Sequence, residues 1–107
     1  MSICLDCGSM TWEEYIDGVK FVYTIDKNGR IHQVYMDSYG DLVLVKCANC
    51  GSNRLARLQY TDLNLTDEEV KELAGIEEPE DRLEWLKRKG KLIEAEDDNG
   101  KVIFKIQ

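Results

Sequence analysis

A chain of 107 residues suits one domain, or one small module joined to a second. Its 43% hydrophobic and 33% charged residues are the composition of a folded protein, which excludes a largely disordered chain. A net charge of -7 opposes non-specific attraction to nucleic acid or to an anionic membrane, so any nucleic-acid contact needs a local basic patch.

The charge is unevenly spread. Residues 1–60 hold 6 Lys/Arg against 7 Asp/Glu, a net of -1, whereas residues 61–107 hold 8 against 14, a net of -6. No stretch approaches the ~20 apolar residues that span a bilayer. The opening MSICLDCG has neither the basic region nor the apolar run of a secretory signal. These features point to the cytoplasm and to no membrane partner.

The first element is a cysteine pair. Cys4-Leu5-Asp6-Cys7-Gly8 is echoed by Cys47-Ala48-Asn49-Cys50-Gly51, with 39 residues between the pairs. Two Cys-x-x-Cys loops brought together supply four thiolates in a tetrahedron, the arrangement that Zn²⁺ favours in closed structural sites. Gly8 and Gly51 allow the positive φ such a turn needs, and the turn aims backbone amides at the sulfurs. Structural disulfides are disfavoured in a cytosolic chain, and a redox pair expects a thioredoxin-like βαβ setting that neither loop has. Cys4, Cys7, Cys47 and Cys50, each pair followed by Gly, resemble the zinc-ribbon superfamily over residues 1–60. The resemblance implies one structural zinc on these four residues. The doubled pattern is also similar to rubredoxins, which hold one iron on four cysteines but usually carry Pro in the second knuckle, where this chain has Ala48-Asn49. Zinc is the reading, and iron the alternative.

Between the knuckles, TWEEYID at 11–17 reads as a short strand with Asp17-Gly18 as its turn. Residues 18–37 read as a β-hairpin on a two-residue Asn28-Gly29 turn. That register sets Lys27 against Arg30, Ile25 against His32, Tyr23 against Val34, Phe21 against Met36 and Lys20 against Asp37. It gathers Phe21, Tyr23, Ile25, Val34 and Met36 on one face and ends on an opposite-charge pair. His32 falls near the hairpin tip, away from the knuckles, and reads as a partly exposed sheet residue. After a turn at Ser38-Tyr39-Gly40, residues 41–47 form a strand that delivers Cys47. The first half is thus a β-meander clasped by a metal, which stabilises a core too small to stand alone. Residues 52–60 fit a strand, with a helix capped by Ser52 as the alternative.

In the second half, residues 63–75 carry a helix start. Thr66 and Glu69 form a capping box, and Val70, Leu73 and Ala74 form the buried stripe. Residues 77–90 read as a second helix, with Pro79 in the first turn, Lys87, Arg88 and Lys89 at the end, and Gly90 after it. Leu83 and Leu86 face inward with Trp85 beside them. Residues 91–107 read as a hairpin on Asn99-Gly100. This register puts Ile93, Ala95, Val102, Phe104 and Ile106 on one face, sets Glu94 against Lys105 and sets Asp98 against Lys101. The order helix, helix, hairpin at 63–107 resembles the back half of a winged-helix domain, carried by LKRKGKLIEAEDDNGKVIFKI. In that family the second of these helices usually enters the major groove. Here the helix opens on Glu77-Glu78-Pro79-Glu80-Asp81 and the wing tip carries Asp97-Asp98, which repel phosphates. The cations Lys87, Arg88, Lys89 and Lys91 lie at the far end and complement the helix dipole. This half reads as contacting protein.

An α+β protein follows: a zinc-ribbon β-meander at 1–60 and a winged-helix-like helix–helix–hairpin at 61–107, standing apart or packed as one unit. The chain has a single histidine, a cysteine set saturated by its metal, and no Gly-rich phosphate loop, which argues against an enzyme with a small-molecule substrate. Transcript-cleavage ribbons carry an Asp-Glu pair at the hairpin tip. The tip Asp26-Lys27-Asn28-Gly29-Arg30 lacks it, so that activity is not carried over. The expectation is a non-enzymatic zinc protein that binds another protein as an interaction or regulatory module, with transcription-related work. Two alternatives remain. One is a nucleic-acid-binding ribbon using Arg54, Arg57, Lys46, Lys27 and Arg30 among Tyr23, Tyr35 and Tyr60. The other is a rubredoxin-like iron electron carrier.

Overall fold

The computed structural model describes residues 2–16, 19–38 and 44–107. In chain order the elements are β1 (Ser2–Cys4), β2 (Thr11–Ile16), β3 (Val19–Ile25), β4 (Ile31–Ser38), β5 (Leu44–Cys47), β6 (Leu55–Arg57), α1 (Asp67–Ala74), α2 (Pro79–Arg88), β7 (Leu92–Glu96) and β8 (Val102–Ile106). This is the expected α+β layout, with strands at both ends and helices between. Part of residues 52–60 is a strand, β6. The expected turns at Asp17-Gly18 and Ser38-Tyr39-Gly40, and the start of the strand at 41–43, fall wholly or partly outside the described residues.

The β-branched and aromatic runs form a four-stranded antiparallel sheet in the order β4-β3-β2-β5. This corrects the meander expectation. A meander would lay β5 on β4, but β5 returns beside β2 and sets Trp12 opposite Cys47. The order is that of a Greek key. A second, two-stranded sheet pairs β1 with β6, from Ser2 opposite Arg57 to Cys4 opposite Leu55. The first strand was not foreseen, because three residues before a knuckle carry no periodicity.

Both hairpin tips differ from the two-residue turns expected of Asn-Gly. At the first, the Asp26 amide bonds the Arg30 carbonyl at 2.9 Å and the Gly29 amide bonds the Asp26 carbonyl at 2.9 Å. The loop is therefore Lys27-Asn28-Gly29, with Gly29 in the left-handed region at φ 79°. The cause is Asp26. Its Oδ1 accepts from the Asn28 amide at 2.8 Å and the Arg30 amide at 3.0 Å, so the side chain takes over the turn. The longer loop shifts the register by one. Tyr23 faces Gln33 and Ile25 faces Ile31, rather than Val34 and His32. A bulge between Val22 and Tyr23, with residue 34 as the extra one, then restores the expected pairs of Phe21 with Met36 and Lys20 with Asp37.

The C-terminal hairpin repeats the tip. Asp97 Oδ1 accepts from the amides of Asn99 and Lys101, both at 2.9 Å, and Gly100 has φ 79°. No bulge corrects the register here. Glu94 faces Phe104 and Ile93 faces Lys105, so the expected pairs Glu94–Lys105 and Asp98–Lys101 do not form. The expected apolar face is split: Val102, Phe104 and Ile106 share a side with Leu92, and Ile93 and Ala95 share the other with Ile103. Glu94 instead reaches Lys87 on α2 at 2.6 Å.

The helices follow their signals. Thr66 caps α1, with its hydroxyl accepting from the Glu69 amide at 3.2 Å and the Glu69 carboxylate accepting from the Thr66 amide at 3.0 Å. The Thr66 amide, donating to the Glu69 carboxylate, is the chief cause that holds this carboxyl below its usual range. Pro79 opens α2, and its end is a Schellman turn in which the Lys91 amide bonds the Leu86 carbonyl at 2.9 Å. Val70, Leu73 and Ala74 on α1 and Leu83, Trp85 and Leu86 on α2 are buried. They join Ile3, Leu5, Met10, Trp12 and Ile25 of the first half in one apolar cluster. Leu73 and Leu86 are fully buried there, worth about 1.5–3 kcal/mol each.

Candidate metal centre

β1 runs into the first knuckle, and β5 enters the second while β6 leaves it. The pairing of β5 on β2 and of β6 on β1 brings the two knuckles face to face. Cys4 Sγ lies 3.6 Å from Cys50 Sγ, and Cys7 Sγ lies 3.6 Å from Cys47 Sγ. All four sulfurs lie within 4.8 Å of one another. Sulfurs about 2.3 Å from a central ion at tetrahedral angles are separated by about 3.8 Å, so the set is sized to hold a metal ion.

The two turns are built alike. The Gly8 amide bonds the Cys4 carbonyl at 2.9 Å, and the Gly51 amide bonds the Cys47 carbonyl at 3.0 Å. Gly8 and Gly51 have φ 77° and 76°, the left-handed conformation foreseen for them. Backbone amides point at sulfur: Asp6 to Cys4 at 3.4 Å, Asn49 to Cys47 at 3.3 Å and Cys50 to Cys47 at 3.5 Å. The Asn49 side-chain amide adds a contact to Cys7 Sγ at 3.6 Å. These donors favour thiolate, the form that binds metal.

Burial acts the other way. It pushes the Cys4 and Cys47 thiols up, against the backbone amides that pull them down. Burial also raises Cys7, but Asn49, the Ser9 backbone and the neighbouring thiols outweigh it, and the result lies below the ordinary thiol range. A positive ion among the four sulfurs offsets the burial cost directly.

Arg82, not singled out in the sequence, and Arg54, expected there at a nucleic-acid surface, lock the first knuckle in place. Arg82 on α2 donates from Nη1 to the Gly8 carbonyl at 3.1 Å and from Nε to the Ile76 carbonyl at 3.0 Å. Arg54 bridges the Asp6 carboxylate and the Phe104 carbonyl on β8. Asp6 also accepts from Ser52 Oγ. No periodicity or motif marks these roles, since each joins segments far apart in the chain.

The five cations expected at a nucleic-acid surface are not gathered on one element. Arg54 is committed to Asp6 and Phe104. Lys46 lies 3.8 Å from Glu13 and over the Tyr15 ring. Lys27 and Arg30 are exposed at the first hairpin tip, and Arg57 is exposed on β6 beside Tyr60. Tyr23 stacks on Trp12 in the interior at 5.7 Å, and the Tyr35 side chain falls outside the described residues. Tyr60 is 88% exposed. His32 is exposed and bonds Asp26 at 2.6 Å, as a sheet residue near the tip. Among the described residues, no helix is long and apolar enough to cross a membrane.

In comparisons with known proteins, no family model, curated protein or solved structure matched this chain significantly.

Proposed function

We propose that this chain is a zinc-ribbon protein whose Cys4, Cys7, Cys47 and Cys50 hold one structural Zn²⁺, and that it acts without catalysis as a protein-interaction or regulatory module, with transcription-related work. The observation that carries the reading is the four-sulfur cluster, with backbone amides aimed at its sulfurs and two knuckles of the same geometry. Four protein ligands complete a tetrahedron and leave no open position for substrate, which favours a structural metal. A tetrahedral set of four sulfurs suits zinc or iron alike, and the second knuckle has Ala48-Asn49 where rubredoxins usually carry Pro, which favours zinc.

The nucleic-acid alternative loses support where Arg54 and Lys46 are engaged within the protein. The acidic half supports a protein partner. Metal analysis of the purified chain tests the first part: one zinc per chain is expected, and iron with a visible charge-transfer band points to the electron carrier. Anisotropy with labelled single- and double-stranded DNA and RNA at low salt tests the second. Salt-sensitive, low-micromolar binding that is lost on charge reversal at Arg57 would return the assignment to nucleic acid.

A further inference from the structure

We infer that the cleft between α1 and α2 is a docking groove for a basic, Arg- or Lys-bearing segment of a partner protein. This rests on the reading of the chain as a protein-interaction module and gives it a surface. The cleft has a volume of about 560 Å³ and is lined by Glu72, Ile76, Asp81, Glu84, Trp85 and Arg88. That is room for one or two large side chains. Its floor is apolar: Trp85 is buried and Ile76 is partly buried. Its rim is acidic, with three carboxylates against one guanidinium.

Among the described residues, Glu72, Asp81 and Glu84 form no close salt bridge, although Lys87 feels the Glu84 charge as well as its own partner Glu94. Glu72 accepts only the Trp85 indole N–H, at 3.3 Å. The surrounding segment is acidic as well, with the net of -6 over residues 61–107. Charge complementarity therefore selects a cation and rejects nucleic acid or an acidic peptide. The indole contributes too. Lys89 Nζ lies 5.2 Å from the Trp85 ring centroid, so this ring already attracts a cation from its own chain. A long basic side chain suits both parts, its stem on Trp85 and Ile76 and its charge at the carboxylates.

The cleft is also held in shape. Arg82 ties the Ile76 carbonyl to the Gly8 carbonyl of the first knuckle, so the turn between the helices is anchored to the metal centre. A preformed groove loses less entropy on binding than one that must be assembled.

The test uses the full, metal-loaded chain and a fluorescein-labelled peptide of alternating Arg and Leu, read by anisotropy, with a Glu/Leu peptide as control. Saturable binding of the basic peptide alone is expected. Glu72→Gln with Glu84→Gln should weaken it about tenfold. Glu96→Gln with Asp98→Asn removes the same charge at the distant hairpin tip and should leave it unchanged. Arg88→Gln removes the guanidinium among the lining residues and should tighten binding about twofold to fivefold. Equal losses from the two double variants would mean general electrostatics and would overturn the groove, as would the absence of saturable binding or a failure of Arg88→Gln to tighten it. Metal content and circular dichroism on the same samples separate the two readings. A loaded, folded chain that ignores the peptide removes only the groove, whereas a chain without metal removes the module.

Discussion

Cys4–Gly8 and Cys47–Gly51 make the same turn, with matching backbone bonds and matching glycine torsions. Their surroundings are unlike. The first knuckle sits against α2: a Cβ at Gly8 would overlap the Pro79 carbonyl, and Arg82 and Arg54 bind its carbonyl and its Asp6 carboxylate. The second stands at the surface, with Asn49 and Cys50 exposed and open space beside Gly51. The same local motif thus does two jobs. Both knuckles offer sulfurs to a metal, and among the described residues it is the first that is also fastened to the helical half. Local sequence sets the turn, and long-range packing sets what the turn is worth.

Loss of the metal removes what the knuckles share and should have the largest effect. A structural zinc contributes on the order of 10 kcal/mol in small modules, so a strong chelator should abolish the near-ultraviolet signal of Trp12 and Trp85 in one cooperative step. If the Trp85 signal survives while that of Trp12 is lost, the first knuckle does not fasten the helices. Loading also has a sign. The Cys4 and Cys47 thiols are raised, so they are neutral at neutral pH without metal and release protons when it binds. Metal affinity should therefore rise as pH rises, measured by competition with a chromophoric chelator.

The glycines separate the knuckles most sharply. Gly51→Ala carries only the cost of a left-handed non-glycine residue, about 1–2 kcal/mol. Gly8→Ala carries that and a collision with backbone, so about 3 kcal/mol or more is expected. Denaturant midpoints of the loaded proteins measure the difference, and equal values would refute the asymmetry. Arg82→Met comes next. It removes donors to the Gly8 and Ile76 carbonyls and should cost about 1–3 kcal/mol in the same assay. Asn49→Ala on the exposed knuckle should cost least, about 0.5 kcal/mol or below, because it loses one long contact to Cys7 Sγ in partial solvent.

What the sequence shows plainly is what is local. Paired cysteines with trailing glycines, the Thr66–Glu69 box and Pro79 at a helix start each act within a few residues, and each stands where it was expected. The tips were misread for a local reason too. Asn-Gly alone favours a two-residue turn, but Asp26 and Asp97, each two residues earlier, accept two backbone amides and lengthen the loop. The pattern Asp-x-Asn-Gly followed by a basic residue carries that signal in both hairpins. The return of β5 to β2 was not legible, because it follows from bringing Cys47 to Cys7 rather than from the strand's own residues. Nor were the roles of Arg54 and Arg82, whose partners lie 50 and 74 residues away.

The pairing of Ser2 with Arg57 has a kinetic consequence. The strands that lead into and out of the centre join the extreme ends of the first half, and closing a loop of that length costs on the order of 3–4 kcal/mol of chain entropy before any contact offsets it. Each Cys-x-x-Cys turn can seize an ion on its own beforehand, since its two cysteines are only three residues apart. An ion held by one turn then makes the meeting of the two ends favourable at first encounter. Refolding should accordingly accelerate with metal concentration, in which case the ion would act as the nucleus of the fold as well as its clasp.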